Sequence, residues 1–336
     1  MPSSRPSKET AGLILPGVLF RRALGSDYFV LGLCVIYALA VGPFTPGFFT
    51  PENAANLLST ALPLLLVALG QMIVLITGGI DLSVTSIIGL CSVTGAMVMN
   101  PESGGLGGDM LTVPAGCIAM LLMGTLVGAA NGFAVARCRM PPFIVTLATM
   151  MGVGGFAVWL TQSKAINQLP PAFNALGGHR GIALAITALA AGCVQVMLNR
   201  SVFGRWLYAT GHNPRTAHIS GVPVGGVLIA AYACSGMLAA LASVFYTGQA
   251  ETGSPVLGQR ILLDVIGAVV IGGTSLSGGR GKVLWTIFGV LFLKLIDNTL
   301  NLLSLSIFTL TIVKGAVILL AAVLDAWRIR VAGHPA

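Results

Sequence analysis

The chain has 336 residues, of which 55% are hydrophobic and 8% charged, with a formal net charge of +8. Soluble domains carry about 25% charged residues, so a soluble enzyme is excluded and an all-α polytopic membrane protein is expected. All the basic residues but Lys294 and Lys314 sit outside the apolar runs, which speaks for membrane orientation and against a nucleic-acid surface.

Residues 1–27 form an N-terminal segment bearing Arg5, Lys8, Arg21 and Arg22. Its apolar run, Ala11–Phe20, is too short to span and reads as interfacial. No small-residue cleavage site follows it, so no removable signal peptide is expected. Residues 28–327 read as one transmembrane domain and 328–336 as a tail. Spans are expected at 28–42, 57–77, 83–99, 112–136, 142–161, 181–199, 223–248, 262–276, 283–302 and 307–327, roughly ten by the twenty-residue rule. The third and eighth are short and read as half-helices or re-entrant segments. If the N-terminus is inside, the inside connections hold Arg137, Arg139, Arg200, Arg205, Arg215, Arg280, Lys282, Arg328 and Arg330 as well as the four N-terminal basic residues. The outside connections hold Lys164, Arg180 and Arg260. That bias puts both termini in the cytoplasm.

The stretch Gly78-Gly79-Ile80-Asp81-Leu82-Ser83 separates the second and third spans. An aspartate at a helix centre in a membrane costs about 3 kcal/mol, so Asp81 must face water, a cavity or partner groups. The glycines let the backbone leave helical geometry there. A near copy, Gly272-Gly273-Thr274-Ser275-Leu276-Ser277, follows the eighth span. Paired glycine interruptions in two halves of a chain suggest an internal pseudo-repeat and a transport path. The simpler reading is two tight connections, with Asp81 capping a helix.

In the fourth span Gly124, Gly128 and Gly132 make a stripe for close helix approach, and Asn131 stands beside it. An interhelical hydrogen bond is the favoured role for Asn131, ahead of a substrate contact. Pro141-Pro142 opens the fifth span. Its Thr146 and Thr149 share a face and either line a polar path or bond their own backbone. The connection 200–222 mixes apolar Trp206, Leu207, Ala217 and Ile219 with Arg205, His212, Asn213 and Arg215, and Gly211 and Pro214 are expected to break it in two. It reads equally as a docking element for a cytoplasmic partner or as an amphipathic helix on the headgroups. Lys294 and Asp297 can pair within the ninth span, with Asn298 and Asn301 continuing a polar side. Lys314 in the tenth span either reaches Asp297 or snorkels. Such a stripe is a functional-site candidate or a structural ion pair.

No GxxxxGK[ST] and no GxSxG occur. If ATP drives this protein, the ATPase is another polypeptide. The six cysteines make no CxxC pair, the four histidines fall in connections and no HExxH occurs, so no metal site, disulfide framework or cofactor is expected.

The chain resembles the permease subunits of bacterial ribose-type ABC sugar importers. The resemblance covers about Asn53 to Asp325. It rests on Thr77–Ser83 (TGGIDLS), Pro142–Thr149 (PFIVTLAT), Phe203–Asn213 (FGRWLYATGHN), Ile219–Val222 (ISGV), Val270–Gly281 (VIGGTSLSGGRG) and Asn298–Leu303 (NTLNLL). It implies a multi-pass inner-membrane protein that pairs with a second permease subunit, the same chain or a related one, within membrane lipid. It also implies a cytoplasmic ATP-binding subunit and a periplasmic sugar-binding protein as partners, and no chemistry in this chain. The family's coupling segment maps onto Gly204–Gly221, giving Gly204, Arg205, Tyr208, Gly211, Asn213 and Arg215 as contacts for the ATPase. Path or gate candidates are Asp81 with Gly78, Gly79 and Ser83, then Gln71, Asn131, Thr146, Asn298 and Asn301, neutral groups that suit an uncharged sugar. The chain departs from the family at Thr85, His212, Leu262-Leu263, Thr309 and Thr311, which bears on the substrate. Related permeases carry nucleosides or branched-chain amino acids, and GGIDLS with FGRxxYAxG favours sugars. The rivals are an ion-coupled secondary transporter using Asp81, Asp264 and Asp297, and an intramembrane enzyme, for which no cluster of reactive groups is found.

Overall fold

The computed structural model describes residues 28–103, 105–106 and 111–331. The run Ala11–Phe20 and the end of the tail lie outside them. Among the described residues there are thirteen α-helices, two short 3-10 turns and no strand beyond one isolated bridge, Ile166 to Gly253. The helices are α1 (Phe29–Val41), α2 (Pro51–Ile76), α3 (Val84–Met99), α4 (Thr112–Ala136), α5 (Pro142–Leu160), α6 (Pro171–Gly178), α7 (Arg180–Arg200), α8 (Val202–His212), α9 (Pro214–Ile219), α10 (Val224–Ala250), α11 (Leu262–Gly272), α12 (Val283–Leu302) and α13 (Ile307–Val331).

Six of these, α2, α4, α5, α7, α10 and α12, have the length and apolar composition to cross a membrane. The apolar stretches of α1, α3, α11 and α13 (Ile307–Val317) are shorter. The 16 and 11 residues of α3 and α11 give about 24 and 16 Å of rise against a hydrocarbon core of about 30 Å. They are the two short spans foreseen from the sequence, and each lies beside a glycine loop.

Helix α2 is the centre of the bundle. Thr50 caps it, its side chain accepting from the Asn53 amide at 3.3 Å, and Pro51 opens it where no N–H is needed. From Leu62 to Ile76 every residue except Leu65 is buried. A helix apolar on all sides belongs inside a bundle, and α10, α12, α7 and α11 surround it. The periphery is different. Helices α4, α5 and α7 turn Ile118, Leu122, Leu126, Met151, Trp159 and Leu189 outward, as a lipid-facing surface requires.

Lipid gives no hydrophobic drive for helix to meet helix, so close packing carries the association. The glycine stripe of α4 lies flat on α10. A methyl group at Gly124 would stand 2.5 Å from the Gly236 carbonyl oxygen, and one at Gly128 would overlap the Tyr232 carbonyl. Hydroxyls add polar ties between α10 and α3. Ser243 donates to the Ile88 carbonyl at 2.8 Å, and Thr247 to the Ser92 hydroxyl at 2.8 Å.

The connection 200–222 forms α8 and α9, and of the two expected breakers Pro214 marks the break, which falls at Asn213, while Gly211 does not. The Asn213 side chain accepts from the Thr216 amide at 3.0 Å and Pro214 takes the first helical position, so Asn213 ends one helix and starts the next. Gly211 lies inside α8.

The α4–α10 contact is testable. Backbone cannot rotate aside, so Gly128→Val should destabilise the detergent-solubilised protein by at least about 2 kcal/mol. Gly155→Ala on α5, with open space around it, should leave the unfolding midpoint unchanged. Thermal unfolding of both variants checks the pair.

Candidate functional site

Helices α2 and α11 end alike. The Gly78 amide donates to Leu75 at 2.9 Å and the Gly79 amide to Val74 at 3.3 Å. The Gly273 amide donates to Val270 at 2.8 Å and the Thr274 amide to Val269 at 3.1 Å. Gly78 and Gly273 take the left-handed conformation this ending demands, with φ of +79° and +103°. Letter by letter Gly78 aligns with Gly272, but the fold aligns it with Gly273, a slip of one residue. Each loop then makes a side-chain turn. The Asp81 carboxylate accepts from the Ser83 amide at 3.0 Å, and the Ser275 hydroxyl accepts from the Ser277 amide at 3.2 Å.

Asp81 is fully buried. One carboxylate oxygen accepts from the Ser83 amide and from its hydroxyl at 2.6 Å. The other accepts from the Ser235 hydroxyl of α10 at 2.9 Å. The Asn131 amide nitrogen donates to the Ser83 hydroxyl oxygen at 2.8 Å, and the Asn131 carbonyl accepts from Thr149 at 2.6 Å. Next to this chain of bonds, the Ile80 carbonyl accepts from the Tyr232 hydroxyl at 3.2 Å and lies 3.3 Å from the Thr146 hydroxyl, whose single proton has its shorter contact with the Pro142 carbonyl at 2.9 Å. The loop at 78–83 is thereby tied to α4, α5 and α10. No lysine or arginine pairs with Asp81 among the described residues. Its oxygens are held by hydrogen bonds beside the start of α3.

The structure thus brings together Gly78, Gly79, Asp81, Ser83, Asn131 and Thr146. It keeps three other candidates apart from them. Asn298 forms a reciprocal amide pair with Asn53, at 2.9 and 2.6 Å, near the start of α2. Asn301 is exposed at the end of α12. Gln71 is fully buried near the C-terminal end of α2, and neither atom of its amide has a hydrogen-bond partner.

A second polar centre joins α11, α12 and α13. Lys314 lies 3.0 Å from both oxygens of Asp264 and 2.8 Å from Asp297, which also meets Lys294 at 3.4 Å. Two cations and two carboxylates compensate one another there. Of the two sequence readings of Lys314, the reach to Asp297 holds and snorkelling does not; its bond to Asp264 is additional. Sequence reasoning also missed Ser235 and Tyr232. Serine is ordinary in a small-residue helix, and the one signal is a hydroxyl inside the apolar run of α10.

Of the segment between α7 and α10, one side is exposed and one is not. Arg205, Asn213, Arg215 and Ile219 are exposed, whereas Gly204, Leu207 and Thr210 are buried. Ser201 caps α8, accepting from the Gly204 amide at 3.0 Å. Gly204 lets α8 fold back on the last turn of α7, since a methyl there would overlap the Met197 and Leu198 carbonyls. Tyr208 and Gly211 face the two glycine loops. Burial pushes the Tyr208 hydroxyl above its usual range, so it stays protonated and donates.

Side-chain hydrogen bonds in membrane bundles average about 0.6 kcal/mol, with a maximum of about 1.7. Ser235→Ala should therefore cost about 1 kcal/mol. Asp81→Ala removes the acceptor of three donors and should cost about 3 kcal/mol or more. Denaturant unfolding in detergent checks the order; equal losses would mean the carboxylate does not organise the loop.

A sequence model of the family described as "Branched-chain amino acid transport system / permease component" matches residues 53–322. The ribose import permease protein of Bacillus subtilis is 38% identical over 303 residues, 88% of this chain and 91% of the relative. That of Escherichia coli K12 is 33% identical over 304 residues, 88% and 92% of the two chains. The L-arabinose transport system permease protein of the same strain is 35% identical over 305 residues, 88% and 90%. No solved structure matches the chain.

Proposed function

The chain belongs to this family of transport-system permease components, and we propose that it forms part of the membrane path of an ATP-driven importer for a monosaccharide. It is a multi-pass protein of the bacterial inner membrane that performs no covalent chemistry. Its partners are a cytoplasmic ATP-binding subunit, a periplasmic sugar-binding protein and a second permease subunit, the same chain or a related one. The observation that carries the sugar reading is identity of 38% and 35% to ribose and arabinose permeases along nearly the whole chain. The placement of basic residues supports cytoplasmic termini.

The geometry supports the division of labour. The exposed side of α8 and α9, with Arg205, Arg215 and Ile219, suits a soluble partner that presents acidic and apolar groups. The loops at 77–83 and 273–282 lie immediately behind it. Transport then consists of differential stabilisation of inward- and outward-facing states by the ATPase. An ion-coupled mechanism finds less support. Asp264 and Asp297 are held by lysines and Asp81 by hydroxyls, so each carboxylate already has its partners.

Reconstitution with the ATP-binding subunit and the sugar-binding protein in proteoliposomes tests the proposal. Uptake of labelled ribose or arabinose should require internal ATP and persist with an uncoupler. Uptake driven by an ion gradient with no ATPase present would overturn it. A double change, Arg205→Glu with Arg215→Glu, should weaken ATPase-subunit binding at least about tenfold, with the unfolding midpoint unchanged.

A further inference from the structure

The last turn of α8 touches both glycine loops at one point. A methyl group on Gly211 would overlap the Ile76 carbonyl and stand 2.6 Å from the Gly279 amide nitrogen. Those two groups are bonded to each other, the Gly279 amide donating to the Ile76 carbonyl at 2.9 Å. Gly278 closes on the same spot, where a methyl would lie 2.8 Å from the Gly211 carbonyl oxygen and 2.9 Å from the Gly78 amide nitrogen. One turn earlier the Tyr208 hydroxyl donates to the Gly281 carbonyl at 2.7 Å. The His212 ring, its Nδ1 2.9 Å from the Tyr208 carbonyl, rests against Gly279. Three segments far apart in sequence, 76–79, 208–212 and 278–281, thus meet backbone to backbone.

We infer that this three-way junction is the point of transmission between the docking surface and the path, with Gly211 and Tyr208 as positioning residues. Contacts between main chains have no side-chain rotamer to absorb a displacement, and close-packed interiors pass strain on. A shift of α8 therefore moves the end of α2 together with the loop that joins α11 to α12. On the first side the loop leads within five residues to Asp81 and its ties to α4, α5 and α10. On the second side it leads back along α11 to Asp264 and across to Lys314 on α13. A docked partner thus acts on both halves of the pseudo-repeat through one contact, so neither half opens alone. Gly211 is glycine because two backbones close on it, and Tyr208 fixes the distance between α8 and the second loop.

The inference rests on α8 and α9 receiving the ATP-binding subunit, so the test measures binding and coupling separately. In the complete complex, sugar delivered per ATP hydrolysed is compared for wild type, Tyr208→Phe, Gly211→Ala and Gly192→Ala, which stands in open space. Affinity for the ATP-binding subunit is measured in the same preparations. Tyr208→Phe and Gly211→Ala should keep that affinity and still hydrolyse ATP, while the transport ratio falls at least about fivefold; Gly192→Ala should match wild type. Should Gly211→Ala fail to fold, Tyr208→Phe decides. An unchanged ratio in Tyr208→Phe, or a loss confined to affinity, overturns the transmission point while leaving the proposed function standing. Failure of the unmodified chain to bind the ATP-binding subunit overturns both.

Discussion

A carboxylate with no access to water has to find its hydrogen bonds inside the protein, and Asp81 imposes that condition on this bundle. Its two oxygens draw in the Ser83 amide and hydroxyl and the Ser235 hydroxyl, and Ser83 in turn brings Asn131 and Thr149. In apolar surroundings each of these groups would be costly alone. Together they satisfy one another, and they set where α3 begins and how α4, α5 and α10 stand around it. The short length of α3 follows, because the first part of its crossing is given over to a loop.

Glycine is the complementary constraint. Where the carboxylate network draws helices together with polar bonds, Gly124 and Gly128 do so by removing side chains. The hairpin of α11 and α12 is closed in the same manner, since a methyl group at Gly289 would overlap the Ala268 carbonyl. The result is a bundle whose closest helix approaches are main chain on main chain at the glycines, and whose outer faces carry large apolar side chains. That division suits a membrane, where burying another leucine gives little and shape complementarity gives most.

Much of this was legible in the sequence. The ten apolar stretches, the shortness of α3 and α11, and the two glycine loops follow from hydropathy and from what glycine permits, whereas the shortness of α1 was not foreseen. Asn131 could be placed at an interhelical bond, though not with its partners. The less legible features share a cause. Ser235, Tyr232 and Asp264 matter through contacts 50 or more residues away in the chain, and no local pattern distinguishes them from ordinary helix residues. The register slip between the two loops arises because α11 runs one residue further into its glycine pair than α2 does. Gly211 invited a helix break on propensity alone. It is instead a helical residue whose missing side chain makes room for two other backbones, a requirement visible only once those backbones are in place.

The ion cluster of α11, α12 and α13 carries a consequence for how the chain is made. A single charged residue raises the cost of membrane insertion by about 3 kcal/mol, and α11 has eleven residues with Asp264 in its first turn. Its counter-ion, Lys314, is synthesised 50 positions later. Helix α11 thus emerges from the ribosome with an uncompensated carboxylate and too little apolar length to settle by itself. Its ion pairing is complete only with Lys314 of α13 in place, so α11, α12 and α13 depend on one another for charge compensation within the bilayer.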